Sequence, residues 1–319
     1  MCEKCQKIVL FFVSIIAIIA VLTWLTAEKE PAASSAKLTV VVSTFSQYEA
    51  ACAVSGDTLH IRSIIPLGSD AHMFSPNPTQ VADISKAALF VYNGAGFETW
   101  ADDLKNTLPK TVQVLDMSQY VTLIKSEENH SDEHEKNHDV HEHGAFDPHY
   151  WLDIDNMIKM TETLDAQFSK ILPVNAEKFH ENATAYIDKL KILKSHYVKG
   201  LAECKNRTLI TNHDAFGYLA HANKLEDISV IGLSSDEQPS AKTIANIIEI
   251  VKEHKIKTIF FEELISDNVA QTIAREAGVK AQPLQPLENI SEDELKLHQN
   301  YLTIMEDNLK KMRESMECR

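Results

Sequence analysis

Three histidines stand where they could share one metal ion. His72 lies in GSDAHMFSPNP, His149 in DPHYWLD and His213 in LITNHDAFGY. Neutral imidazole is a borderline ligand that suits zinc, copper and nickel better than magnesium or calcium. Three such nitrogens with a fourth position open fit tetrahedral zinc. The same set could activate a water, so a zinc hydrolase or lyase is the competing chemistry. No GxSxG motif and no nucleophile–base pair is legible to support it. Taken singly, each histidine reads more readily as a solvated loop residue than as a ligand; their common address, beside a histidine-rich tract, carries the metal reading.

That address comes from the elements around them. Apolar, β-branched runs at Lys37–Phe45, Asp57–Pro66, Ala88–Asn93 and Val112–Asp116 predict strands. Helices are expected between them: to about Val54, from Pro78, and over Phe97–Leu108. Helices then dominate, over Asn156–Leu172 and the long amphipathic Asn175–Glu203. The alternation resumes with strands at Thr208–Thr211, Ser229–Gly232, Thr258–Phe261 and Val279–Leu284. Helices are expected at Ala215–His221, Ser240–His254, Asp267–Ala277 and from about Ser291 to the end. Strand–helix alternation implies parallel sheet covered by helices. The fold class is therefore α/β, with two βα lobes joined by a helical region. His72 follows the second strand and His213 the fifth, and ligands in open α/β sheets bind beyond the carboxyl ends of strands. Two such ends facing each other make a cleft with histidines on both walls.

The segments divide as follows: 1–36 a leader and tether, 37–153 a first lobe, 154–204 the helical joint, and 205–319 a second lobe. Within the first lobe, 126–144 (SEENHSDEHEKNHDVHEHG) has almost no apolar residue. It cannot bury enough surface to fold alone, so it reads as a mobile loop. Its His130, His134, His138, His141 and His143 would make a weak, multivalent zinc collector, or a solvated polar insertion. Lys4 and Lys7 precede an uncharged apolar run from Ile8 to Leu25. This is the pattern of an export signal, cleaved near Ala27 or kept as a membrane anchor. The chain is thus expected to work outside the cytoplasm. A formal net charge of -15 argues against nucleic-acid partners. Cys2 and Cys5 precede the apolar run; of the others, Cys204 and Cys318 are expected to pair and Cys52 to stay free.

In order, GSDAHMFSPNP, GFETWADDL, the His/Asp/Glu loop, DPHYWLD and NHDAFGYLA resemble the metal-binding receptors of ABC importers. The nearest type is the zinc-binding receptor of high-affinity uptake systems, and the resemblance covers most of the chain after residue 37. It implies the cluster A-I architecture, two lobes joined by a rigid long helix, moving little on binding. It implies a monomer that has no catalytic activity, carries zinc and hands it to a membrane permease. It also implies that His72, His149 and His213 ligate the ion directly. Manganese members are expected to carry Glu at the position of His213, so a third imidazole favours zinc. A metal buffer or adhesin on the same scaffold is the alternative role. The family's usual LDPL segment reads Leu284-Gln285-Pro286-Leu287 here, with an amide in place of the Asp. The fourth ligand therefore stays open among Gln285, a water, Glu262 and Glu263. Asp147 and Asp153 are candidates to orient an imidazole or to cap a turn, and Trp151 to pack over the site.

Overall fold

The computed structural model describes residues 37–126, 146–233, 239–264 and 266–319. The leader, the pair Cys2 and Cys5, and nearly all of the histidine-rich tract lie outside the described residues.

The first lobe grows from TVVV. This run forms β1 (Thr39–Val42), whose three valines are buried, as expected for a central parallel strand. It is followed by α1 (Phe45–Ser55), β2 (His60–Ser63), α2 (Pro78–Ile84), β3 (Leu89–Tyr92), α3 (Thr99–Lys105) and β4 (Gln113–Asp116). The strands pair in parallel in the order β2-β1-β3-β4. Asn77 and Gln80 close a capping box ahead of Pro78, which fixes where α2 starts. Two long helices follow, α4 (Ile154–Ile171) and α5 (Ala176–Gly200). At 1.5 Å per residue α5 spans about 37 Å, long enough to run the length of a small lobe.

The second lobe repeats the plan with β5 (Thr208–Thr211), α6 (Gly217–Asn223), β6 (Glu226–Ser229), α7 (Ala241–Glu253), β7 (Thr258–Phe261), α8 (Asn268–Ala277) and β8 (Lys280–Pro283). Its parallel order is β6-β5-β7-β8, so β1 and β5 hold equivalent places. The chain ends with α9 (Glu292–Lys296) and α10 (Tyr301–Ser315). Both sheets are thus parallel, helix-covered βα layers.

Two elements differ from their expected places. The sixth strand lies at Glu226–Ser229, three residues before the apolar run at Ser229–Gly232. It is an edge strand, and Glu226 is held by the hydroxyl of Thr208 on β5 at 2.8 Å, so charge is tolerated there. Val230 and Ile231 continue donating to the Thr211 and Asn212 carbonyls past the strand end. The terminal helix is two helices, because His298 turns the chain in the left-handed region (φ 56) and Asn300 caps a new start.

One apolar core runs through both lobes. It includes Val41 and Phe90 from the first sheet, Leu164 and Leu193 from the long helices, and Leu209, Phe260 and Leu284 from the second. A second, smaller core around Ile210, Val251, Ile259 and Ile273 lies within the second lobe. The expected disulfide is present between Cys204, just after α5, and Cys318, and Cys52 is a free thiol.

Candidate metal centre

His72, His213 and Glu288 come from stretches that follow strands, and His149 from the turn that leads into the long helices. His72 comes from the stretch between β2 and α2, where the Asp70 carboxylate accepts its backbone N–H at 2.9 Å. His149 precedes the short 3-10 turn Tyr150–Leu152, and His213 sits two residues beyond β5. One ligand atom from each of His72, His149, His213 and Glu288 lies within 4.8 Å of the others. His149 Nε2 is 3.3 Å from His72 Nε2, and Glu288 Oε1 is 3.2 Å from His72 Nε2 and 3.1 Å from His149 Nε2. A tetrahedron with bonds of about 2.0 Å has edges of about 3.3 Å. Three of the edges already have the length zinc needs. The imidazole rings are 5.1 to 5.3 Å apart, centre to centre.

The cluster is shielded from water. His149 and His213 are fully buried and the Glu288 side chain is 6% exposed. Phe97 packs on His72 with ring centres 4.6 Å apart, and Trp151 stands edge-on to His149 at 5.5 Å. Trp151 Nε1 donates to the Pro286 carbonyl at 2.7 Å, which ties the His149 turn to the segment that carries Glu288.

Behind the imidazoles stand carboxylates. His149 Nδ1 faces Asp147 Oδ1 at 2.8 Å, and Asp147 also accepts the His149 backbone N–H at 2.9 Å. His213 Nδ1 faces Glu262 Oε1 at 2.6 Å, while its Nε2 lies 2.9 Å from the Leu233 carbonyl. Such partners fix ring orientation and make the free nitrogen a better donor to metal. Burial pulls the His149 imidazole down, but Asp147 and Glu288 outweigh it and bring it up to about 10. Burial likewise pulls on His213, and Glu262 raises it to about 9. Burial pushes the Glu288 carboxyl up, yet His72 and His149 beside it hold it well below the ordinary glutamate value.

The structure gathers all three expected histidines and adds Glu288, which the sequence reading missed. Glu262 is not in the cluster; it backs His213. Glu263 is exposed. Gln285 is buried and spent elsewhere: Nε2 donates to Glu294 at 3.0 Å and Oε1 accepts from Leu287 N at 3.2 Å. Leu287 takes a left-handed conformation (φ 63), so the chain turns and Glu288 enters three residues past the expected position. A carboxylate shortly after the end of β8 was the available sign. Asp153 caps α4 through the Asp155 N–H, while Asp147 is the residue that orients an imidazole.

The chain matches, over residues 40–315, the family described as zinc-uptake complex component A, periplasmic (ZnuA). It belongs to this family. The zinc-binding lipoprotein AdcA of Streptococcus pneumoniae is 36% identical over 313 residues, covering 98% of this chain and 61% of that protein. The chain thus spans about three fifths of the length of such streptococcal relatives. The high-affinity zinc uptake system protein ZnuA of Bacillus subtilis is 33% identical over 281 residues, 88% of each chain. Among solved structures, the Zn(II)-bound ZnuA-like domain of S. pneumoniae AdcA superposes with TM-score 0.74 at 36% identity, over 88% of this chain and 99% of that one. The metal-dependent lipoprotein YcdH of B. subtilis gives 0.75 at 33%, with the same coverage. Among the described residues no helix is long and apolar enough to cross a membrane. The tract outside them contains His134-Glu135-Lys136-Asn137-His138, the letters of a metallohydrolase motif, without the apolar positions such a helix would bury.

Proposed function

We propose that this chain is an extracytoplasmic receptor for Zn2+ that delivers the ion to the permease of an ABC importer and catalyses no reaction. His72, His149 and His213 would bind through ring nitrogens and Glu288 through a carboxylate oxygen. The observation that carries this reading is the convergence of three imidazoles and one carboxylate from both lobes within 4.8 Å of one another, the edges among His72, His149 and Glu288 already at tetrahedral length. With neutral imidazoles and one carboxylate, the loaded centre keeps one net positive charge, which Asp147 and Glu262 sit behind to balance. His213 gives up its bond to the Leu233 carbonyl on binding, a net loss of about 1 kcal/mol that one zinc–nitrogen bond easily offsets.

Membership in a periplasmic zinc-uptake family, and relatives named as zinc-binding lipoproteins, support the location and the permease partner. The test is metal analysis of the purified protein with each of His72, His149, His213 and Glu288 changed to Ala. About one zinc per chain in the parent is expected, with a loss of at least tenfold in affinity in each variant. A parent that binds no zinc, or variants that bind like the parent, would overturn the reading. A strain lacking the protein should grow poorly when zinc is scarce and recover when zinc is added.

A further inference from the structure

The GFETW segment stands out in the sequence, yet none of its polar groups touches the four-residue cluster. Its Glu98 is 2% exposed and receives three donors. Asn93 N–H donates to Oε1 at 2.8 Å, Gly94 N–H to Oε2 at 3.1 Å, and the Ser43 hydroxyl also donates to Oε1. Burial raises the Glu98 carboxyl to about 7, against the pull of those donors. Gly94 (φ 74) leaves room for the turn, since a Cβ there would lie 2.0 Å from Asp116 Oδ1.

What Glu98 holds is Asn93, and Asn93 holds the His149 segment from two sides. Asn93 Nδ2 donates to the Pro148 carbonyl at 2.9 Å, and the Tyr150 hydroxyl donates to the Asn93 carbonyl at 2.9 Å. The residues flanking His149 are thus both pinned to one asparagine at the carboxyl end of β3. His149 itself touches neither Asn93 nor Glu98 by any hydrogen bond described above. It depends on them for where its ring begins. We infer that Asn93, clamped by Glu98, is a positioning residue that aims His149 at the ion, and that this is the task of the GFETW acid. The inference rests on the zinc reading of the cluster. Polar groups that orient a ligand in this way change metal affinity by about 10- to 100-fold when removed.

A double-mutant cycle tests it, because residues acting through one partner are non-additive and independent ones add. Zinc affinity is measured by chelator competition for the parent, Asn93→Ala, His149→Ala and His213→Ala, and for Asn93→Ala combined with each histidine variant. Asn93→Ala is expected to weaken the parent at least tenfold, to change the His149→Ala protein by less than about threefold, and to weaken the His213→Ala protein as much as the parent. Cobalt loaded in place of zinc should show altered visible bands in Asn93→Ala but retain the parent's in Ser85→Ala, a control far from the network. Should Asn93→Ala fail to fold, Glu98→Gln runs the same cycle. Its amide keeps an acceptor for Asn93 N–H and sets a donor against Gly94 N–H. Equal losses in both histidine backgrounds, or no loss in the parent, overturn the assignment. A parent that binds no zinc takes the zinc reading down with it, whereas a zinc-binding parent with an additive cycle overturns the Asn93 assignment alone.

Discussion

Glu288 decides the charge of the cluster, and Gln285 is one of the candidates that a linear reading leaves open in its place. Removing the carboxylate as Glu288→Gln leaves three imidazoles and a neutral amide around a dication in a water-poor site. Affinity for zinc should fall by about 10- to 100-fold or more, as read by chelator competition. Gln285→Ala breaks bonds to Glu294 and Leu287 but no metal contact, so affinity should move by less than about threefold. The protons on the cluster set a second expectation. In the absence of zinc, imidazoles at about 10 and about 9 stay protonated at neutral pH, each nitrogen facing an oxygen. Zinc must displace those protons, so apparent affinity should rise by about tenfold per pH unit for each proton released between pH 6 and 8. Folding stability without metal has the opposite sign. A raised imidazole pKa adds stability that is complete below about 6.5 and fades as pH climbs through 9 and 10. Glu288, held low, adds stability above about 4.5 that is lost on strong acidification. Thermal shifts caused by zinc should therefore grow from pH 6 to pH 9; a shift that shrinks over that range contradicts the protonation pattern.

At the scale of elements, turns rather than strands place the ligands. Gly94→Ala forces a side chain into a left-handed turn and against Asp116, so it should lower stability by roughly 2 kcal/mol or more, visible in urea unfolding. The β runs were readable because central parallel strands are short, β-branched and buried on both faces: TVVV, LFVY and TLIT show little else. Pro78 marked a helix start for a similarly local reason. His72 and His213 were readable because each follows a strand, and His149 because it stands in DPHYWLD where the acidic tract ends. Glu288 was not, since glutamate is common and its entry depends on Leu287 adopting a positive φ that leucine sequences do not announce. The β6 register was missed because an edge strand bonded to Thr208 tolerates Glu226, a pattern that local hydrophobicity ranks low. The Leu297–Asn300 break was hidden for the same kind of reason: its Asn300 cap depends on His298 reversing the chain first.

For the molecule as a whole, the question is how far the lobes can part. A receptor that closes like a trap keeps its lobe interface wet and weakly bonded in the open form. Here a single apolar core passes from Val40 in the first lobe to Met305 near the end of the second. Bonds between distant segments reinforce it on the side of the metal cluster. Phe45 N–H donates to the Glu288 carbonyl at 2.8 Å, Gly68 N–H to the Ile290 carbonyl at 2.9 Å, and Asn289 Nδ2 to Pro66 and Ser69 carbonyls at 2.6 and 2.9 Å. Tyr301 reaches the Trp151 carbonyl at 2.7 Å, and Tyr218 reaches the Asp147 carbonyl at 2.8 Å. Each is worth about 1 kcal/mol net, so opening by a hinge would forfeit several at once and expose core. Zinc is then expected to enter by local shifts of side chains such as His213 leaving Leu233, with the lobes fixed. X-ray scattering should give the same radius of gyration with and without zinc, while Trp151 fluorescence changes on binding. The disulfide offers a control at the far end of β5 from His213. Cys318→Ser removes a cross-link over 114 residues and should cost about 4 kcal/mol of stability, yet leave zinc affinity within about twofold. If that variant lost affinity as steeply as stability, the lobes would be held together more loosely than one shared core allows, and a trap-like closure would have to replace the fixed scaffold.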